Sequence, residues 1–287
     1  MPSFPAPDGP DWLAVCRRAA ERVRASLERY PTAAERGVET GRGEGGDRTL
    51  VIDRAAEDAV LAELEATAVP LTVVSEERGE VAVHGGGPIH AVVDPVDGSL
   101  NAKRGLPYAS VSIAIADGAT LDDVGFGYIA ALDPELEWWA TRGEGAFAGG
   151  ERLPPLEAGP LEVLGLETAR PQQVAHASAA IARLDARRIR ALGSVAVTLA
   201  FVAEGALDAM LSLRDVRSVD AAAGGLIVRE VGGAVLFPEA GEAPSLGLEM
   251  RSRVMAARDP ELVRRLLEAF PVISPRPGGE PGGASHG

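Results

Sequence analysis

Two short apolar runs, residues 71–74 and 89–93, constrain this chain more than any other feature, because each stops abruptly at acidic residues. Largely apolar runs of four or five residues are too short for a helix, so they read as strands covered on both faces. Ser75-Glu76-Glu77 follows the first run and Asp94 the second. Residues 111–116 and 124–129 are further strands, and the glycines of 138–152 predict a hairpin. Helical spacing covers 10–29 through Trp12, Val15, Cys16, Ala19, Val23 and Leu27, and returns over 53–65. Between these helices, the Gly- and charge-rich stretch 37–48 reads as a mobile loop.

Pro154, Pro155, Gly159 and Pro160 mark a boundary. It divides an N-terminal α+β half, 10–153, from a C-terminal α/β half, 154–272. The second half reads as strands near 162–166, 208–213, 234–237 and 253–257, with helices near 175–184, 195–203, 220–231 and 260–270. Strands and helices mixed throughout predict a layered α/β (α+β) architecture. Residues 1–9 and 273–287 are Pro- and Gly-rich with little to bury, and are expected to be disordered tails.

A net charge of −14 argues against nucleic acid as a partner but not against anionic substrates, since a bound cation reverses the local sign. No apolar run reaches the roughly 18 residues of a membrane span, so no membrane partner is expected. A single cysteine excludes an internal disulfide, and no export signal is visible; the expected location is cytoplasmic. The only lysine, Lys103, and the only asparagine, Asn101, both lie just after residues 94–99.

Four acids stand at the ends of expected elements: Glu76, Asp94, Asp97 and Asp220. Strand ends in α/β sheets open onto a crevice, and carboxylates converging there without basic partners repel unless a cation holds them. Such hard oxygen ligands suit Mg²⁺, whereas His84, His90, His176 and His286 are too scattered for zinc. Within residues 94–99, Pro95 stiffens the turn, Asp94 and Asp97 can face one side, and the Val96 carbonyl could add an oxygen. Gly98 lets backbone approach a phosphate, and Ser99 opens a short helix whose N–H groups suit a phosphate oxygen. On spacing alone, an acidic surface turn is an equal alternative. Asp53 and Asp220 could also be helix caps, and Glu77 an outer acid.

The segment Asp94-Pro95-Val96-Asp97-Gly98-Ser99-Leu100-Asn101 resembles the Asp-Pro-hydrophobic-Asp-Gly-Thr/Ser-x-Asn motif of the inositol monophosphatase family. Ser75-Glu76-Glu77 is similar to that family's Glu-Glu motif, and Val219-Asp220-Ala221-Ala222-Ala223-Gly224 resembles its Trp-Asp-x-Ala-Ala-Gly motif. Leu192-Gly193-Ser194 and Val231-Gly232-Gly233 match its C-terminal half, so the likeness runs in order over 12–270. The second half and Gly46-Asp47-Arg48-Thr49 look like the archaeal-type branch, which hydrolyses inositol monophosphates and fructose 1,6-bisphosphate.

The resemblance implies an alternating αβαβα sandwich of the sugar-phosphatase type. It also implies two or three Mg²⁺ ions, replaceable by Mn²⁺, with lithium sensitivity and a homodimer. Their ligands would be Glu76, Asp94, the Val96 carbonyl, Asp97 and Asp220. Ser99, in place of the usual Thr, would act with Asp53 and Glu76 on the attacking water. Gly98, Ser99, Asp97, Gly193, Ser194 and Asp220 would hold the phosphate and substrate. The expected function is Mg²⁺-dependent hydrolysis of small phosphate monoesters, inositol or sugar phosphates. Fructose 1,6-bisphosphatase as main activity, or a non-catalytic paralogue binding phosphorylated ligands, are the alternatives. Val219 replaces the usual Trp, and Leu213 the acid that grips an inositol hydroxyl. Arg183, Arg187, Arg188 and Arg190 read either as a second phosphate site or as a solvated basic helix face.

Overall fold

Alternation within the apolar runs sets the layers of the molecule. In the structure, a computed structural model describing residues 9–44, 48–168 and 170–272, Val73 and Val74 enter different cores, as do Val92 and Val93. Apart from the half-buried Thr72 and His90, these strands are covered on both faces, which is why successive positions such as 73–74 and 91–93 are apolar.

In chain order the elements begin with α1 (Trp12–Leu27), α2 (Ala33–Arg36), β1 (Glu39–Arg42), β2 (Arg48–Leu50) and α3 (Val51–Glu65). Next come β3 (Leu71–Ser75), β4 (Gly79–Val83), β5 (Ile89–Asp97), α4 (Ser99–Arg104), β6 (Ser110–Ala116) and β7 (Val124–Ala131). β8 (Leu136–Thr141), β9 (Gly145–Ala148) and β10 (Glu151–Arg152) complete the first half. The second half has β11 (Val163–Glu167), α5 (Pro171–Arg183), β12 (Arg188–Arg190), α6 (Val195–Ala203) and β13 (Ala209–Ser212). It ends with α7 (Ser218–Glu230), β14 (Ala234–Leu236), β15 (Met255–Ala257) and α8 (Pro260–Ala269).

One sheet has the order β10-β9-β8-β7-β6-β5-β3-β4, antiparallel except for the parallel pair β3 and β5. The other has the order β12-β11-β13-β15-β14. Helices α1 and α3 cover the outer face of the first sheet through Trp12, Val23, Ile52 and Leu64. α6 and α7 fill the space between the sheets, and α5 and α8 cover the far face of the second with Ile181, Leu262 and Leu266. The stack is therefore α-β-α-β-α, a mixed layered α/β fold. Removing one fully buried side chain of the outer layer, as in Leu64→Ala, costs about 2–5 kcal/mol.

The middle layer shows why sequence and packing agree. Almost every residue of α6 is buried, as a helix apolar on all sides must be. α7 approaches it closely because Gly224 has no side chain: a Cβ there would lie 2.6 Å from the Leu199 Cβ. Val219, in place of the family's Trp, is itself buried in this core, so the packing position is filled by a smaller side chain.

Two expectations need correction. The stretch 37–48 is not simply a loop: β1 pairs antiparallel with β2, and α2, closed by a Thr32–Glu35 capping box, precedes it. The arginines of 183–190 do not share a helix face. Only Arg183 is helical, while Arg188 and Arg190 lie on the exposed edge strand β12 and Arg187 pairs with Glu162. The tail residues 1–8 and 273–287, and Gly46 and Asp47, lie outside the described residues.

Cys16 faces the sheet from α1 with no exposed surface, and burial pushes its thiol pKa well up. A thiol reagent such as Ellman's should therefore find no reactive group in the native protein and one per chain after denaturation. A prompt full equivalent from native protein would contradict the packing of α1.

Candidate active site

The acids meet where three elements end. Glu76 follows β3, Asp94 lies near the end of β5, and Asp220 stands in the first turn of α7. Each offers a carboxylate oxygen, and these oxygens lie within 4.8 Å of one another. Among the described residues no other cluster of this kind occurs. The parallel pairing of β3 with β5 places the two strand ends side by side, Ser75 opposite Val93.

Asp97 is held slightly apart. Between Asp94 and Asp97 β5 takes one residue more than its partner, pairing them with Ser112 and Ser110. Such bulges re-aim side chains. The Asp97 carboxylate accepts from the Ser194 hydroxyl and the Ala196 N–H, both at 2.7 Å. It thus closes the start of α6. This gives Ser194 a different task from the expected one: it is buried, and its hydroxyl serves Asp97 and the cap of α6 instead of facing a substrate. Gly98 adopts a left-handed φ of 87°, and a Cβ there would lie 2.8 Å from the Gly193 carbonyl. Its smallness accommodates that neighbouring backbone.

Asp53 and Asp220 share one arrangement. Each stands third in its helix and reaches back to the cap residue, Asp53 to Leu50 N at 2.9 Å and Asp220 to Arg217 N at 2.7 Å. Capping is therefore realised in both, yet it uses only one oxygen. The other oxygen of Asp53 is buried with no hydrogen-bond partner. Ser99, whose hydroxyl donates to the Val96 carbonyl at 3.0 Å, is its neighbour. Glu77 accepts from Thr49 and stays outside the cluster.

Two groups, Arg217 and Glu167, lie outside the motifs. Arg217 pairs with Glu76 at 2.5 Å and lies 3.7 Å from Asp220, so the acids do have a basic partner. Glu167 is buried and accepts from the N–H groups of Leu192 and Gly193 and from Thr198. Asn101 holds the same turn from the opposite side, donating to the carbonyls of Leu192 and Pro107. The spacing Arg-x-x-Asp at 217–220 was the one sequence signal for the first of these; nothing local marked Glu167.

A cleft of about 1140 Å³ opens beside Asp97, Asp220 and Arg217. Its rim carries Arg170 and Arg214, whose side chains have no partner among the described residues, and Arg251, which bonds the Met250 carbonyl. The expected Arg183–Arg190 group does not line it, and Leu213 packs into the far core. A second cavity of about 530 Å³ lies far from the cluster, and its Arg17 and Glu137 pair with each other.

Burial raises the carboxyls of Asp53, Glu76, Asp94 and Asp97. Asp97 is pushed up to about 7 by burial and Asp220, against the two hydrogen bonds it accepts. Asp53 is also pushed up to about 7 by burial. Glu76 rises to about 8 by burial, although Arg217 opposes it. Asp94 lies well above the usual range through burial and its three acidic neighbours. These groups titrate near 4 in an unfolded chain. Raised folded values mean stability present at low pH and lost as pH climbs toward 7–8. In EDTA, the melting temperature should therefore fall between pH 6 and pH 8, and Asp97→Asn should flatten that slope. A flat or rising wild-type profile would refute the assignment.

Comparison with known proteins agrees with the geometry. The sequence profile of the inositol monophosphatase family matches residues 12–273. A protein from Methanothermobacter thermautotrophicus named fructose-1,6-bisphosphatase/inositol-1-monophosphatase is 35% identical over 273 residues, spanning 91% of this chain and 97% of that protein. One of the same name from Archaeoglobus fulgidus is 34% identical over 269 residues, 91% of this chain and 98% of its own. A crystal structure named inositol monophosphatase–fructose 1,6-bisphosphatase superposes with a TM-score of 0.78 at 22% identity, covering 91% of this chain and 100% of that one. At that identity the superposition speaks for the fold alone. No helix among the described residues is long and apolar enough to cross a membrane. By the profile match and the length of the likeness, the chain belongs to the inositol monophosphatase family.

Proposed function

We propose that the protein is a Mg²⁺-dependent phosphatase of small phosphate monoesters that hydrolyses them by direct attack of water. The convergence of Glu76, Asp94 and Asp220 from three separate elements carries this reading. Their donor set suits the ion, being oxygen only and mostly carboxylate. Glu76, Asp94, Asp97, Asp220 and the Val96 carbonyl would hold it. Bound there, Mg²⁺ would lower the pKa of a water and offset the charge of the phosphate.

The chain's own groups account for the proton. Ser99 now donates to the Val96 carbonyl while one oxygen of Asp53 is buried without a partner. Turning the hydroxyl from Val96 to Asp53 would satisfy that oxygen and free the Val96 carbonyl as a ligand. Ser99 could then accept a hydrogen bond from the attacking water and pass its proton to Asp53. Water oxygen bonds to phosphorus, the ester P–O bond breaks, and the leaving alkoxide takes a proton from solvent. The raised pKa of Asp53, about 7, suits a base that accepts a proton near neutrality.

The test is inorganic phosphate released from inositol 1-phosphate and fructose 1,6-bisphosphate with Mg²⁺. Asp94→Asn should lose at least ~100-fold, more than loss of an outer partner of a metal ligand commonly costs. Ser99→Ala should lose about 10²–10⁴-fold, the usual contribution of positioned proton transfer. No release from any small phosphate would sink the enzyme reading, and undiminished release by Asp94→Asn would sink the site.

A second reading narrows the substrate. Arg170 and Arg214 stand on the cleft rim without partners among the described residues, in a chain of net charge −14. Two such guanidinium groups favour a substrate with a second anionic group, such as fructose 1,6-bisphosphate. The related archaeal proteins are named for that activity as well as for inositol-1-phosphate. The double variant Arg170→Ala, Arg214→Ala should lose at least about tenfold in kcat/KM for the bisphosphate and little for inositol 1-phosphate, since charge-assisted bonds contribute roughly 1.5–3 kcal/mol each. Equal losses on both substrates would remove this second reading.

A further inference from the structure

A buried set of carboxylates needs a counter-charge before any metal arrives, and this chain supplies one from within. Arg217 precedes Asp220 by three residues and caps the start of α7 through its backbone. Its Nη2 lies 2.5 Å from Glu76 and 3.7 Å from Asp220, and the three side chains are only 13–16% exposed. Two of the three clustered acids thus face one guanidinium. One nitrogen addresses both acids, and it stands at the end of a side chain longer than a lysine's.

We propose that Arg217 is an internal counter-cation that competes with divalent metal for Glu76 and Asp220. In the metal-free protein it holds the acids together, and a metal ion can take the Glu76 oxygen only as Arg217 gives it up. The cleft beside Arg217 and Asp220 gives the released side chain a place to go. Arg217 therefore weakens metal binding while it stabilises the empty site, so the two cations are antagonists. This inference rests on the metal-dependent reading above, and it concerns a residue that none of the expected ligands or catalytic groups includes.

The test uses the full-length chain and Mn²⁺ alone, without substrate. Titration calorimetry on wild type and Arg217→Met should show Mn²⁺ binding about tenfold tighter or more in the variant. That factor matches the 1–3 pK units by which one opposite charge commonly shifts a nearby carboxylate. Thermal melts provide the second readout. Arg217→Met should melt lower than wild type in EDTA, and most of that difference should vanish in saturating Mn²⁺, where the metal supplies the charge. An arginine with a merely structural role would lower both melts equally.

Mn²⁺ affinity unchanged or weaker in Arg217→Met, or an equal loss of melting temperature with and without metal, overturns the proposal. If that variant does not fold, Arg217→Lys decides. It should bind Mn²⁺ several-fold tighter than wild type, because the shorter side chain brings its charge less close to the two acids, and affinity within twofold of wild type overturns the proposal. Absence of Mn²⁺ binding in wild type would remove the metal reading and this inference together. Binding without a difference removes this inference alone.

Discussion

Gathering carboxylates into one shielded volume is the constraint on which the rest of the structure depends. Like charges a few ångströms apart in a poorly solvated place do not all ionise unless other groups compensate. Each acid here has a donor fixed by the fold. Val96 N serves Asp94, Ser194 and Ala196 serve Asp97, and the capped ends of α3 and α7 serve Asp53 and Asp220. Glu76, beyond the end of a strand, relies on Arg217. These donors come from both halves of the chain, so the site requires the two sheets and the middle helix layer to be assembled together.

That dependence explains the buried polar clamp around the turn at 192–194. Asp97 is positioned only if Ser194 and Ala196 are, and those stand where the turn meets the first residues of α6. Glu167 holds the turn by its N–H groups and Asn101 by a carbonyl, while Gly98 lets the two backbones come together. A buried carboxylate satisfied by three donors is rigid, and this rigidity is transmitted to Asp97 through a single turn. Asn101, the chain's only asparagine, directly follows the acidic turn, but its grip on Leu192 is visible only in the folded chain.

What could be read from sequence followed a physical divide. Central strands such as β3, β5 and β6 are buried on both faces and announce themselves as apolar runs, as α6 does by its all-round hydrophobicity. The edge strands β4 and β12 and the β1–β2 pair are largely polar or half-exposed, so neither period nor composition separates them from loops. The metal-ligand candidates were legible because they sit at element ends in short motifs. Arg217 and Glu167 were not, for their partners lie 141 and 25 or more residues away and only the folded chain brings them together. Even so, a basic residue three before a helix-start acid is a local pattern, and a repulsive acidic cluster gives a reason to look for it.

The layers also separate a buried floor from a changeable rim. The floor of the cleft is built from the end of β5 and the starts of α6 and α7, packed against an apolar core that tolerates little change. The rim comes from the segments after β11 and β13, which carry Arg170 and Arg214 and are tied by a hydrogen bond from Arg214 N to the Thr168 hydroxyl. Loops of this kind can change side chains without disturbing a core. Leu213, at the position of the family's inositol-gripping acid, packs into the far core, while Arg214 beside it lines the cleft. One step along this loop thus separates a side chain that serves the core from a cation that faces the cleft. Side chains on the rim can thereby change while the buried floor beneath them stays the same.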